Sequence, residues 1–156
     1  MDKRASLILQ LEIAWWVITA IAVWAVLYPV QKAMYIWPFR QWNIVFVVGL
    51  LTLTRYIFLL KHTFLAKKQA LKVALILLMF PLTFTFVNGL NAFMTFIEEN
   101  TWDPLTSHLP PLDKKAIENY IWGQMLFFGA GSIIAAPVFA GRLMLSVWRT
   151  HNRGTA

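Results

Sequence analysis

The chain has 156 residues, of which 59% are hydrophobic and only 13% charged, with a mean hydropathy of +0.60. A soluble globular domain is nearer half apolar and one quarter charged, so an ordinary soluble enzyme and a disordered chain are both excluded. The net charge of +7 at pH 7 would point to nucleic acid in a soluble protein. Here Lys and Arg fall between long apolar runs, so membrane topology accounts for them and no nucleic-acid partner is expected.

Four apolar segments follow in chain order, over about residues 7–28, 42–60, 71–96 and 120–147. Each reaches or approaches the roughly 20 residues that carry a helix across about 30 Å of hydrocarbon. Membrane strands alternate in polarity over about 10 residues, whereas these runs are apolar on every side. In lipid a backbone must satisfy its own hydrogen bonds, so the runs are helices. The expected fold is an all-α, polytopic membrane protein, a single domain of four transmembrane helices. The first segment has a basic start at Lys3 and Arg4 and an Ala20-Ile21-Ala22 that mimics a signal-peptidase site. Its apolar core is too long for a leader and contains Glu12, Trp15 and Trp16, so it is read as a retained span.

The connections differ in character. Residues 29–41 are short and carry Pro29 and Pro38. Residues 61–70 are short and basic, with Lys61, His62, Lys67 and Lys68. Residues 97–119 are acidic and proline-bearing, and Asp113 is placed to cap a helix that runs into the fourth span. One side of the membrane then holds eight basic residues, Lys3, Arg4, Lys61, Lys67, Lys68, Lys72, Arg149 and Arg153, against Lys32, Arg40, Lys114 and Lys115 on the other. The positive-inside rule places the eight in the cytoplasm, with both termini, and suits a bacterial inner membrane. Several of the eight Trp lie near span ends, as interfacial belts require.

Intramembrane polar residues are the functional candidates. Glu12 and Arg55 lie at one depth, roughly 8–9 Å below the basic surface at about 1.5 Å per residue. The first two spans are antiparallel neighbours, so an ion pair between them is available, either structural or part of a relay. Arg142, seven residues before Arg149, extends the idea to an Arg55 and Arg142 cluster that contacts anionic lipid. Thr85, Asn88, Asn91 and Thr95 recur every three or four residues and share one face of the third span. Such groups act as interhelical glue or line a solute path. Pro81 and Pro137 free the carbonyls of Leu77 and Ile133 near mid-span, and kinks there are expected. In the fourth span Gly131, Ser132, Ala135, Ala136 and Ala140 recur at helical spacing and allow close backbone approach to another helix.

The chain has no cysteine, which excludes disulfides and thiolate chemistry. One His (His108) among scattered loop carboxylates does not make a metal site, and no paired His suits haem. No phosphate loop, nucleotide fingerprint, G-x-S-x-G or H-E-x-x-H occurs, so no cofactor and no catalytic residue is expected. The first expectation is a non-catalytic accessory or assembly subunit that packs through the fourth span, as a homo-oligomer or within a larger membrane complex. The alternatives are a small oligomeric transporter or channel using the polar face of the third span, and an anionic-lipid-binding protein or membrane enzyme using Arg55 and Arg142.

Overall fold

The computed structural model describes the backbone of residues 3–153 and the side chains of residues 6–152. Its elements are α1 (Lys3–Ala33), α2 (Arg40–Leu59), two single 3-10 turns (Leu60–His62 and Phe64–Lys67), α3 (Gln69–Asn100), the one-turn α4 (Asp103–Thr106) and α5 (Pro111–Arg153). No strand occurs among the described residues. Four helices, α1, α2, α3 and α5, are long and apolar enough to cross a membrane. Lys3, Arg4 and Arg153, which contribute to the charge asymmetry, have side chains outside the described residues.

Three helix ends differ from the sequence expectation. α1 continues through Pro29 to Ala33, because a proline in the last turn removes only one backbone bond. The N–H of Met34 still reaches the carbonyl of Val30 at 2.9 Å. α5 begins at Pro111, where the absent N–H is one the helix would leave unpaired anyway. Asp113 therefore sits in the first turn rather than at the cap, where its charge still meets the positive end of the helix dipole. α3 runs on to Asn100 and is stopped by Thr101 at φ 56°, a left-handed conformation that a β-branched residue resists. The connection expected over 97–119 shrinks to 101–110, with α4 inside it.

α5 is the central helix. Of its apolar window 39% is buried within the chain, against 17% for α1 and for α3. Its small residues explain this position. Ser132, Ala135, Ala136 and Ala140 are buried, and the Ser132 hydroxyl donates to the Phe46 carbonyl of α2 at 2.9 Å. A Cβ on Gly129 would stand 2.9 Å from Leu90 of α3, and one on Gly131 would stand 2.9 Å from Leu50 of α2. Between helices in lipid there is no hydrophobic drive, so close backbone approach and dispersion provide the association. α5 runs antiparallel to α3 and parallel to α2, since both α2 and α5 descend to the basic end. α2 and α3 approach each other at few backbone points, with Trp42 and Phe46 reaching Gly89 and Phe86, and an apolar cleft of about 570 Å³ lies between them, lined among others by Val48, Thr52, Leu75, Met79 and Leu82. α1 packs on the outside, chiefly against α2.

At the end opposite the basic turns, Phe93 of α3 is wholly buried under four other rings. Phe39 stands 5.5 Å away between centroids, Trp122 5.8 Å, Trp37 6.2 Å and Trp102 6.2 Å. The pairs with Phe39, Trp37 and Trp102 are edge-to-face, and such pairs contribute about 0.5–1.5 kcal/mol each beyond area. Three tryptophans near span ends thus form a packing cap, while Trp16, Trp24 and Trp148 point outward. Gly89, one turn before Phe93, lies directly beneath the Trp42 ring, with no room for a Cβ, whereas Gly123 faces open space.

These two glycines separate packing from propensity. Gly89→Ala should destabilise the bundle by about 1–3 kcal/mol through overpacking against Trp42. Gly123→Ala should stabilise it by up to about 1 kcal/mol through helix propensity alone. Equilibrium unfolding in mixed micelles checks both, and a neutral Gly89→Ala would contradict the packing described.

Candidate functional site: an ion pair, a polar stripe and a basic end

Glu12 of α1 and Arg55 of α2 meet across the helix pair. Arg55 Nη2 lies 2.7 Å from Glu12 Oε1, with the two side chains 7% and 15% exposed. The contact is an ion pair by distance, but the oxygen lies off the N–H direction, and Nε of Arg55 has no acceptor among the described residues. The guanidinium also lies over two rings, 5.2 Å from the Tyr56 centroid and 5.7 Å from that of Trp15. Weak hydration and a flat π-face let Arg rest among aromatics where Lys would not. The pair is also the main polar tie holding α1 against α2.

Thr85, Asn88, Asn91 and Thr95 form one stripe on α3, and all four are exposed. The stripe lies opposite the buried line of Met79, Phe86, Leu90 and Phe93, so it faces away from α5. The Thr85 hydroxyl donates to the Pro81 carbonyl at 2.9 Å. Among the described residues the Asn88 and Asn91 amides have no such bond, so they neither glue helices within the chain nor line a route through it. Pro81 and Pro137 are both exposed, and α3 and α5 continue as helices through them. The small-residue face of α5 is occupied inside the chain by α2 and α3. It leaves no surface there for a further helix.

Arg142 does not join Glu12 and Arg55 in a pair. Its Nε donates to the Ile57 carbonyl of α2 at 3.3 Å. Its guanidinium lines a recess at the basic end with Lys61, Lys67 and Arg149. Lys72, grouped by sequence with the surface charges, is wholly buried in the first turns of α3. Its ammonium donates to the Ala66 carbonyl at 2.7 Å and to the Ser146 hydroxyl of α5 at 2.9 Å. Nothing in the sequence marks this lysine as internal, because its two acceptors belong to a turn and to a helix 74 residues away.

The opposite end is closed by polar ties. His108 Nε2 donates to the Ala33 carbonyl at 2.9 Å, and its ring lies 4.9 Å from that of Tyr35. Thr106 donates to Glu118 at 2.7 Å, Tyr120 donates to the Val26 carbonyl at 2.9 Å, and Asp103 pairs with Lys114. The hydrogen bond and charge of Lys114 hold the Asp103 carboxyl below its ordinary value. Sequence reasoning also passed over Asn43 and Gln124, core amides whose side chains have no hydrogen-bond partner among the described residues. No protein-family model, curated protein or solved structure matches the chain.

Two measurements test these ties. Removing one partner of a buried pair leaves an uncompensated charge, so Glu12→Gln or Arg55→Met alone should destabilise by about 3 kcal/mol, and the double variant by less than the sum. A mutant cycle in micelles without coupling would show that the pair contributes nothing. At the other end, the Asp103 tie contributes above the ordinary carboxylate value of 3.8 and is lost only as pH falls through the lower folded value. The carboxyl carbon shift of Asp103 should titrate below 3.8, and Lys114→Met should move its midpoint upward.

Proposed function

We propose that this protein is a non-catalytic, integral membrane subunit of a larger assembly, joined through the outward face of α3. The observation that carries this reading is the position of Asn88 and Asn91. Along the helix axis, Asn88 lies about 15 Å from Glu98 and about 24 Å from Lys72, which puts it within the hydrocarbon. A carboxamide without a partner costs several kcal/mol in a medium that cannot hydrogen-bond. An adjacent helix that supplies donors and acceptors removes that penalty, each bond contributing about 1 kcal/mol. Carboxamides are self-complementary, so a second copy of the chain suffices, and so does another membrane protein with a polar stripe.

Several features support this reading over catalysis or transport. The polar stripe is on the exterior, and the ion pair is closed. The surface supplies contact area, with Leu77, Phe80 and Phe84 exposed beside the stripe. The excess of Lys and Arg at the end bearing residues 60–72 and 149 orients that end, and both termini, toward the cytoplasm of a bacterial inner membrane. The 101–110 segment would then lie on the outer side.

The test uses the double variant Asn88→Leu/Asn91→Leu, extracted from its native membrane in polymer-bounded lipid discs. Wild type should run as an oligomer or carry a stoichiometric membrane partner. The variant should run as a single chain, with its own unfolding midpoint unchanged or raised, because both positions face outward. A variant that keeps the wild-type mass and partners would refute the proposal.

A further inference from the structure

The basic end of the bundle holds a recess lined mainly by cationic side chains. The recess there has a volume of about 220 Å³ and is lined by Leu60, Lys61, Ala66, Lys67, Arg142, Ser146 and Arg149. Four of these seven are cations and none is a carboxylate. At the basic end the described residues offer one carboxylate, Glu12, and Arg55 holds it. Among the described residues the recess therefore has no counter-ion.

A second, independent observation is Lys72. Its side chain is fully buried, yet it lies in no ion pair among the described residues. Both of its hydrogen-bond acceptors, the Ala66 carbonyl and the Ser146 hydroxyl, belong to residues that line the recess. The ammonium thus sits beneath the floor, with one of its three donors still free. Burial of an uncompensated ammonium is strongly unfavourable, and an anion in the recess would offset it. Ser146 can relay this polarity, accepting from Lys72 while its own hydroxyl proton turns toward the recess.

The walls suit a phosphate. Arg142 uses Nε on the Ile57 carbonyl, which fixes the plane of the guanidinium and leaves its two terminal nitrogens for a forked contact. Lys61, Lys67 and Arg149 are exposed at the rim, where they act as mobile point charges. The volume accommodates one phosphate group with several waters at about 30 Å³ each. Arg142 lies two turns deeper along α5 than Arg149, so the recess descends from the helix ends toward the apolar zone. We infer that the recess formed by the 60–67 turns and the end of α5, with Lys72 beneath it, binds a phosphate ester. The source is an anionic lipid headgroup or a soluble phosphate.

The full chain in zwitterionic detergent provides the test. Dioctanoyl phosphatidylglycerol is titrated against dioctanoyl phosphatidylcholine, and separately against inorganic phosphate, with binding read by native mass spectrometry and by the unfolding midpoint. Wild type should retain phosphatidylglycerol at least tenfold better than phosphatidylcholine. Arg142→Gln/Lys67→Gln should lose that preference, whereas Lys32→Gln/Lys115→Gln, which removes equal charge at the opposite end, should keep it. Retention of phosphatidylglycerol undiminished by millimolar phosphate identifies the lipid headgroup. Saturable binding of phosphate that displaces phosphatidylglycerol identifies the soluble source. Neither ligand binding, or equal loss in the two double variants, would overturn the inference. Both substituted pairs avoid Lys72, so failure to fold does not confuse the result.

Discussion

The structure depends on how closely three backbones approach along one face of α5. Gly129, Gly131, Ser132, Ala135, Ala136 and Ala140 present almost no side chain, and α2 and α3 fill the space from two sides. Water provides no squeeze between helices inside a bilayer, so the fit itself must hold them. Ser132 adds a directional element by donating to the Phe46 carbonyl. Because α5 takes both partners, α2 and α3 stay apart and their cleft remains unfilled by protein. α1 is left on the outside and is held by the buried Leu27 and Val30 near its end, one charged contact and a few backbone ties.

A single rule governs the polar groups. Hydrocarbon penalises every donor and acceptor without a partner, and the chain answers in three ways. Glu12 and Arg55 answer each other. Thr19, Thr83 and Thr85 turn back on the carbonyl one turn earlier, as hydroxyls in helices can. Asn88, Asn91 and the charges around Arg142 find no answer among the described residues, as the core amides Asn43 and Gln124 also do not, but the first three groups face outward, where another molecule can supply one. Both functional readings follow from those unanswered groups, one on the outer face of α3 and the other at the basic end.

The four helices were legible because length and apolar composition decide a membrane span with little help from context. The meeting of Glu12 with Arg55 was legible too, since a fixed rise per residue converts sequence position into distance along antiparallel helices. Direction was not. Helices apolar on every side carry no amphipathic signal, so nothing in α3 says that Phe86 and Phe93 turn inward and Asn88 outward. The same blindness hid the role of Trp37, Trp102 and Trp122, which composition alone assigns to an interfacial belt. Lys72 was counted among headgroup charges because the residues that bury it, Ala66 and Ser146, come together only in the folded chain. Pro29 misled in a simpler way, since proline ends helices in water more often than it ends them among packed neighbours.

The position of α5 has a consequence for synthesis. α5, on which both α2 and α3 lean, follows them in the chain, and the two share little interface of their own. When the first three spans are inserted, α1 and α2 can already pair through Glu12 and Arg55, whereas α3 still lacks its main partner and its inner face stays uncovered. Docking of α3 therefore waits for α5, and until α5 is inserted α3 is the span most open to membrane proteases.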